Sequence, residues 1–514
     1  MSKSASKNRL ITTVVCLVLA ISILAGTFLV FRPYYYNNIY LAPNPTNLSS
    51  FSSASGDAIY GDFYVGPNGS DSYSGTQEHP FATIKKAKEA VKKLNKKYRN
   101  HVVVAILAGT YDIGSIKFNE KDSGSESCRI IYAACGDGEV IFKGNAPATG
   151  ENFAMTDDAV IEIKGGKYLS FSNITVDSAT GAGIKVDGKN IDFSGCTVQN
   201  TAGCGIEING SNITVANCTF SKTGSSAIVS NGGNAKKLTK ANIIIENNLI
   251  YSTCVFDKKQ PAVVIQGVGT EFTNNEILNT PSCAVYYSGN LNKIEYNYIH
   301  NCLLEYDAAA AVAAPQGYVN YGNFVRYNCI SMLGNGDNSP TAVQPASGST
   351  VRGNMIINVP GKGVDLNGGR DINLTNNIFI NCKTTISASE ANENTALLSE
   401  LENSPYQSKE WKEKLPECSA LVTDPNKKSE PEFALNPSGS IIENNIIMHA
   451  SKKIGSISPV TEKYSTVGNN LCMNLTETDI FTDAKNGIYT ISDSVLNTLS
   501  IDFSNLPFDS MGRY

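Results

Sequence analysis

The chain has 514 residues, a net charge of −5 and an isoelectric point near 5.6, with 17% charged residues. No basic stripe with interleaved aromatics is present, which excludes a nucleic-acid-binding protein, and the mild acidity does not single out a charged polymer as ligand. Length alone would suggest about three domains, but an internal repeat argues for one elongated domain.

Residues 1–9 form a short tail carrying Lys3, Lys7 and Arg9. Residues 10–31 (LITTVVCLVLAISILAGTFLVF) contain no charge and are long enough to cross a bilayer as a signal-anchor helix. The basic flank keeps the N-terminus cytoplasmic and the remainder extracytoplasmic; Tyr34, Tyr35 and Tyr36 follow, where interfacial aromatics belong. The alternative is a protein secreted after signal cleavage. The apolar run is longer than the usual signal core of roughly 7–15 residues and no A-x-A site follows, which favours the anchor. Residues 32–61 read as a Ser/Asn/Pro-rich stalk.

The expected solenoid covers 62–514. It opens on a strand, a Gly/Asn/Ser turn and HPFATIKKAKEAVKKLN, where Ile84, Ala87, Val91 and Leu94 recur at helical spacing. A helix there caps the open end of a sheet, an edge that would otherwise recruit other chains. The buried strand HVVVAILAG (101–109) follows.

The motif apolar-x-Asn-x-apolar then recurs. It appears as Asn217 in ANCTF, Asn248 in ENNLI, Asn275 in TNNEI, Asn297 in EYNYI, Asn328 in RYNCI, Asn354 in RGNMI, Asn377 in TNNIF, Asn445 in ENNII and Asn470 in GNNLC. Copies lie one coil apart, and such a period marks a solenoid. Second strands such as AVVIQG (262–267) and CAVYYSG (283–289) alternate apolar and polar, as half-buried strands do. The fold class is therefore all-β, a parallel β-helix whose rungs contact only their neighbours. Asn suits the bends because it tolerates left-handed backbone angles, and stacked copies offer an amide ladder. Residues 389–438 interrupt the repeat with a helix-favouring insertion that carries the only Trp, Trp411. The 13 cysteines include no C-x-x-C pair and read as small core residues, with disulfides between stacked rungs open in an oxidising compartment.

Several segments, in order, carry a resemblance: FYVGPNGSDSYSGTQEHPFATIKKA (63–87), LAGTYDI (107–113), NKIEYNYIHNCLLEYDAAAA (292–311), NGGRDINLTNNIFINC (367–382) and LPFDSMGRY (506–514). Together they resemble the extracytoplasmic right-handed parallel β-helix proteins of the pectate-lyase-like superfold, in the branch related to glycoside hydrolase family one-hundred-forty-one. That resemblance implies a right-handed solenoid and a polysaccharide or glycoconjugate partner. Its Asp-Ala-Gly-Ala-aliphatic-Tyr segment corresponds to Asp307-Ala308-Ala309-Ala310-Ala311-Val312, which keeps the Asp and lacks the Gly and Tyr. Its Asp-Asp-Gly acids fall on Ala346 and Ser347, while Gly368-Gly369-Arg370-Asp371 matches.

Glycoside hydrolysis needs two carboxyls, about 5–5.5 Å apart for retention or about 6.5–9.5 Å for inversion. Rungs stack at about 4.8 Å, so acids in matching columns fall in that range. Glu305, Asp307, Asp337 and Asp365 are the candidate acids, and Tyr286, Tyr306, Arg370 and Trp411 the candidate sugar contacts. Two alternatives stay open. A non-catalytic carbohydrate-binding surface protein is favoured by the run AAAAVAAPQGY (308–318) and by the Tyr-rich rungs. A polysaccharide lyase would use Arg326, Arg352 or Arg370 as base beside calcium. No cofactor is expected, and no Asp cluster at calcium-loop spacing occurs.

Overall fold

The computed structural model describes residues 61–514 apart from 95, 97–99, 146–155, 307–309, 336–338, 391–392, 450–452, 476–478 and 485–486. The expected membrane helix and most of the expected stalk lie outside the described residues; among those described, no helix is long and apolar enough to cross a membrane.

Short parallel strands stack into three sheets that share one core. The first sheet includes Ile228–Gly232, Val263–Gly267, Val285–Tyr287, Ala310–Ala313 and Thr341–Gln344. Ile243–Glu246, Glu271–Thr273, Lys293–Glu295, Phe324–Arg326 and Thr350–Arg352 belong to the second. The third holds Leu249–Tyr251, Glu276–Leu278, Tyr298–His300 and Cys329–Ser331. Some strands turn a corner: Met355–Asp365 pairs first with the third sheet and then with the first. Alternation decides which side is buried. Val263, Ile265, Val285, Tyr287 and Val312 face a continuous core in which Tyr132, Phe171 and Phe193 stack ring on ring, with centroids 5.5 and 5.2 Å apart.

The Asn repeat has two layers. One Asn per rung is buried: the Oδ1 of Asn328 accepts from the backbone N–H of Asn297 at 3.0 Å and from its Nδ2 at 2.9 Å. Asn328 in turn donates its own Nδ2 to the Ile294 carbonyl at 2.8 Å and to Asn354 at 3.0 Å. The same ladder runs from Asn248 through Asn275, Asn297, Asn328, Asn354, Asn377 and Asn445 to Asn470. The residue before each buried Asn takes the left-handed conformation, as at Asn247 (φ 53°), Asn274 (φ 55°), Asn376 (φ 58°) and Asn444 (φ 56°). Asn tolerates this geometry better than other non-glycine residues.

Helix Ile84–Lys93 covers the N-terminal end and buries Ile84, Ala87 and Val91, as their spacing predicts. Thr83 caps it, accepting from the Lys86 N–H at 3.1 Å. Lys92 reaches the buried carboxylate of Asp122 at 2.9 Å, fixing helix to first rungs.

The far end departs from the expected solenoid. The last stacked strand is Leu471–Met473; Phe481–Asp483 and Ile488–Ile491 then form an antiparallel hairpin. Residues 501–514 run back along the outside of the third sheet. Asn376 Nδ2 donates to the Ser504 carbonyl at 2.9 Å, Asn274 Nδ2 to the Ser510 carbonyl at 2.7 Å, and the Gly512 N–H to the Tyr296 carbonyl at 2.7 Å. This return segment covers Met355, Ile357, Ile378, Ile446 and Met448, the apolar outward face of the later rungs.

Candidate functional site

Outward positions of the first sheet form one column through the molecule. In register it reads Lys117, Glu162, Lys185, Glu207, Val229, Val264, Tyr286, Ala313, Gln344, Asp365 and Ser387. The first four alternate in charge, and Lys117 pairs with Glu162 at 2.8 Å. After them the column turns apolar, then polar. Turns from the third sheet flank one side of this strip, at 252–262 and 301–306; turns into the second sheet and the insertion flank the other.

Asp365 lies on this floor, largely buried. Lys362 donates to it at 2.5 Å and the Asn367 N–H at 3.2 Å. One rung away stands Gln344, whose Nε2 donates to the Ala314 carbonyl at 3.3 Å; two rungs away stands Ala313. Among the described floor residues, Asp365 therefore has no carboxylate partner at catalytic spacing. A small open pocket sits beside it, lined by Ala314, Pro315, Gln344, Ser347, Leu366 and Asn367. Asp307 and Asp337, two of the other candidate acids, lie outside the described residues.

Glu305 stands on the rim, not the floor. It takes both bonds of Lys258 Nζ at 2.8 Å, which raises that lysine's pKa. Its neighbour Tyr306 is half-buried with Lys259 Nζ 5.7 Å above its ring. Tyr286 is half-buried on the floor against Cys283, Ala310 and Ala313, and burial, with the Cys283 thiol next, raises its pKa.

Two expected sugar contacts are placed elsewhere. Trp411 is 1% exposed and packs with Leu401, Leu415 and Phe433 in the core of the insertion, donating Nε1 to the Ala235 carbonyl at 2.9 Å. No ring face is left for a ligand. Arg370 is 5% exposed, held by Asp371 at 2.8 Å and by the Phe433 carbonyl at 2.9 Å. Burial, the largest single influence, works against its charge, but Asp371 together with Tyr321 and Tyr318 outweighs it and the pKa is raised. Tyr321 donates to the same carboxylate at 2.8 Å. These residues anchor the insertion. The arginines of the lyase alternative do not converge either: Arg326 and Arg352 are register neighbours on the second sheet, and Arg326 binds Glu295 at 2.5 Å.

Of the Tyr-rich rungs, Tyr287, Tyr318 and Tyr321 are core, while Tyr298 stacks on His300 at 4.2 Å beneath the return segment. Only Tyr286 and Tyr306 of that group flank the floor. Sequence reasoning missed Gln344, while alternation through Val229, Val264 and Tyr286 marked the floor. Among the described residues, no group of three or more His, Cys, Asp or Glu side chains is arranged to hold a metal.

Residues 121–259 and 261–407 match the family model of the right handed beta helix region. No curated protein matches the chain. Among solved structures, a variant of the PL6 family alginate lyase AlyGC aligns over 84% of this chain and 57% of its own, with TM-score 0.54 and 12% identity. The complex of XylC with xylose aligns over 80% and 85%, with TM-score 0.49 and 12% identity. A glycoside hydrolase aligns over 62% and 96%, with TM-score 0.48 and 11% identity. At these identities the likeness is one of fold.

Proposed function

The chain belongs to the right-handed β-helix family, whose model matches more than half of its length, and from that premise we propose that it acts on or binds glycans along the outward face of the first sheet. One observation carries this reading: the outward column carries no charge from Val229 to Gln344 and presents Val229, Val264, Tyr286 and Gln344, then Asp365, between raised turns. An extended strip mixing aliphatic surface, one aromatic face and amide or carboxylate groups suits a polymer with apolar C–H faces and many hydroxyls. In this reading the protein is extracytoplasmic and tethered through residues 10–31.

Hydrolysis would pair Asp307 with Asp337 or Asp365, one as general acid and the other as base or nucleophile. A second reading, a binder without turnover, is favoured by Lys362 neutralising Asp365 and by Gln344 and Ala313 on the neighbouring rungs. The test is reducing-end release by the full chain on a plant, host and microbial glycan panel, beside Asp307→Asn. Release that disappears in the variant makes it a hydrolase. Retardation in glycan gels without release makes it a binder. No retardation and no release contradicts both readings.

A further inference from the structure

The rungs that carry Val229, Val264 and Tyr286 follow directly on the charged rungs of Lys185 and Glu207. Their outward residues in this column are uncharged, and a second outward row runs beside it: Asn231 and Gln266 on the rungs of Val229 and Val264, with Asn209 in register one rung earlier, on the rung of Glu207. All three amides are exposed and none makes a hydrogen bond within the protein. Adjacent rungs are about 4.8 Å apart, so the three amides span about 10 Å, the length of two sugar rings.

The rim beside it is built and rigid. Val255, Phe256 and Asp257 donate their N–H groups to the carbonyls of Thr223 and Gly224 at 2.9 to 3.0 Å. Gly224 leaves room for the Phe256 ring, since a Cβ there would sit 2.6 Å from Cδ2. Phe256 is nevertheless 62% exposed, the most exposed Phe among the described residues. A large apolar side chain held in water by an ordered turn marks a contact surface. The two lysines that follow are engaged, Lys258 with Glu305 and Lys259 over Tyr306.

Resting on the glycan reading above, we infer that this double row, with Phe256 on its rim, is a subsite for a neutral glycan and not for a polyuronate. Apolar C–H faces of the sugar lie on Val229, Val264 and the Phe256 ring; its hydroxyls pair with the Asn231 and Gln266 amides, which both donate and accept. A chain of uronates would instead need unpaired cations along the floor, and the floor positions here hold none.

Calorimetric titration of the full chain with neutral oligosaccharides (gluco-, xylo-, manno- and galacto-series) and with oligouronates tests this. A neutral series should bind, and Phe256→Ala should weaken it about tenfold, with Gln266→Ala weakening it less. Both side chains are exposed, so thermal melts should match the parent. Binding confined to oligouronates, or neutral binding unchanged in both variants, overturns the subsite while leaving the glycan reading intact. No binding of either class overturns both.

Discussion

Asn247 and Tyr514, 267 residues apart, clasp each other by two hydrogen bonds: the Tyr514 N–H donates to Asn247 Oδ1 at 2.9 Å, and Asn247 Nδ2 donates to the Tyr514 carbonyl at 3.1 Å. Asn376 and Ser504 repeat the arrangement at 2.7 and 2.9 Å. The outward Asn of four Asn-Asn pairs, Asn247, Asn274, Asn376 and Asn444, thus serves the return segment, while the inward one serves the ladder.

Asn376→Ala should loosen that segment without unstacking the rungs. Two partly buried bonds vanish, a loss of about 1–3 kcal/mol borne locally. Limited proteolysis should cut within 501–514 sooner, with the urea midpoint of the solenoid nearly unchanged.

Asn328→Ala should be far more damaging. Its loss leaves the buried Asn297 N–H without its acceptor, strips Asn297 Nδ2 of one of its two bonds and removes the Nδ2 donor from the Ile294 carbonyl, and each buried unsatisfied group costs about 1–3 kcal/mol. Urea denaturation should show several kcal/mol lost, where Asn274→Ala, which gives up two bonds to the return segment, costs about 1–3 kcal/mol borne locally, as Asn376→Ala does.

Arg370→Met should release the insertion. Asp371 would stay buried beside Tyr321 with its cation gone, and breaking a buried pair costs about 3–5 kcal/mol. Trp411 fluorescence, reporting a ring that is now 1% exposed, should shift to the red in the variant.

Tyr111, Tyr318 and Tyr489 are each pushed by burial from 10.0 to about 12. A phenol raised in this way stays neutral in the folded chain. Its contribution is complete below the unfolded value and is lost as pH rises through the folded one. Their share of stability should hold to about pH 10 and fall between about pH 10 and 12, on top of a decline that begins near pH 9 as the buried thiols of Cys204, Cys254, Cys302, Cys382 and Cys418, raised from 9.0 to about 11 or 12, titrate in the unfolded chain. Urea midpoints across that interval check it, and a flat profile would refute it.

Much of the fold was legible because the solenoid writes its period into the chain. Alternation located the core-facing Val263, Ile265 and Val285, and the spacing of Ile84, Ala87 and Val91 located the capping helix. The Asn columns were visible too, but not their division of labour, since sequence shows two adjacent Asn residues and not which one points inward. The return of 501–514 was hidden because it follows no period and pairs with residues hundreds of positions away. Trp411 and Arg370 misled for a related reason: the insertion supplies its own small core, and its packing partners Leu238, Tyr318 and Tyr321 come from distant rungs.

The most direct measurement is hydroxyl-radical footprinting of the full chain, with and without whichever glycan retards it in a gel. A ligand lying along the first sheet should protect Phe256, Tyr286 and Tyr306 and leave Tyr73, exposed at the capped end, unchanged. Unaltered oxidation of those three residues with bound glycan, or protection confined to the second sheet around Arg326 and Arg352, would contradict the account.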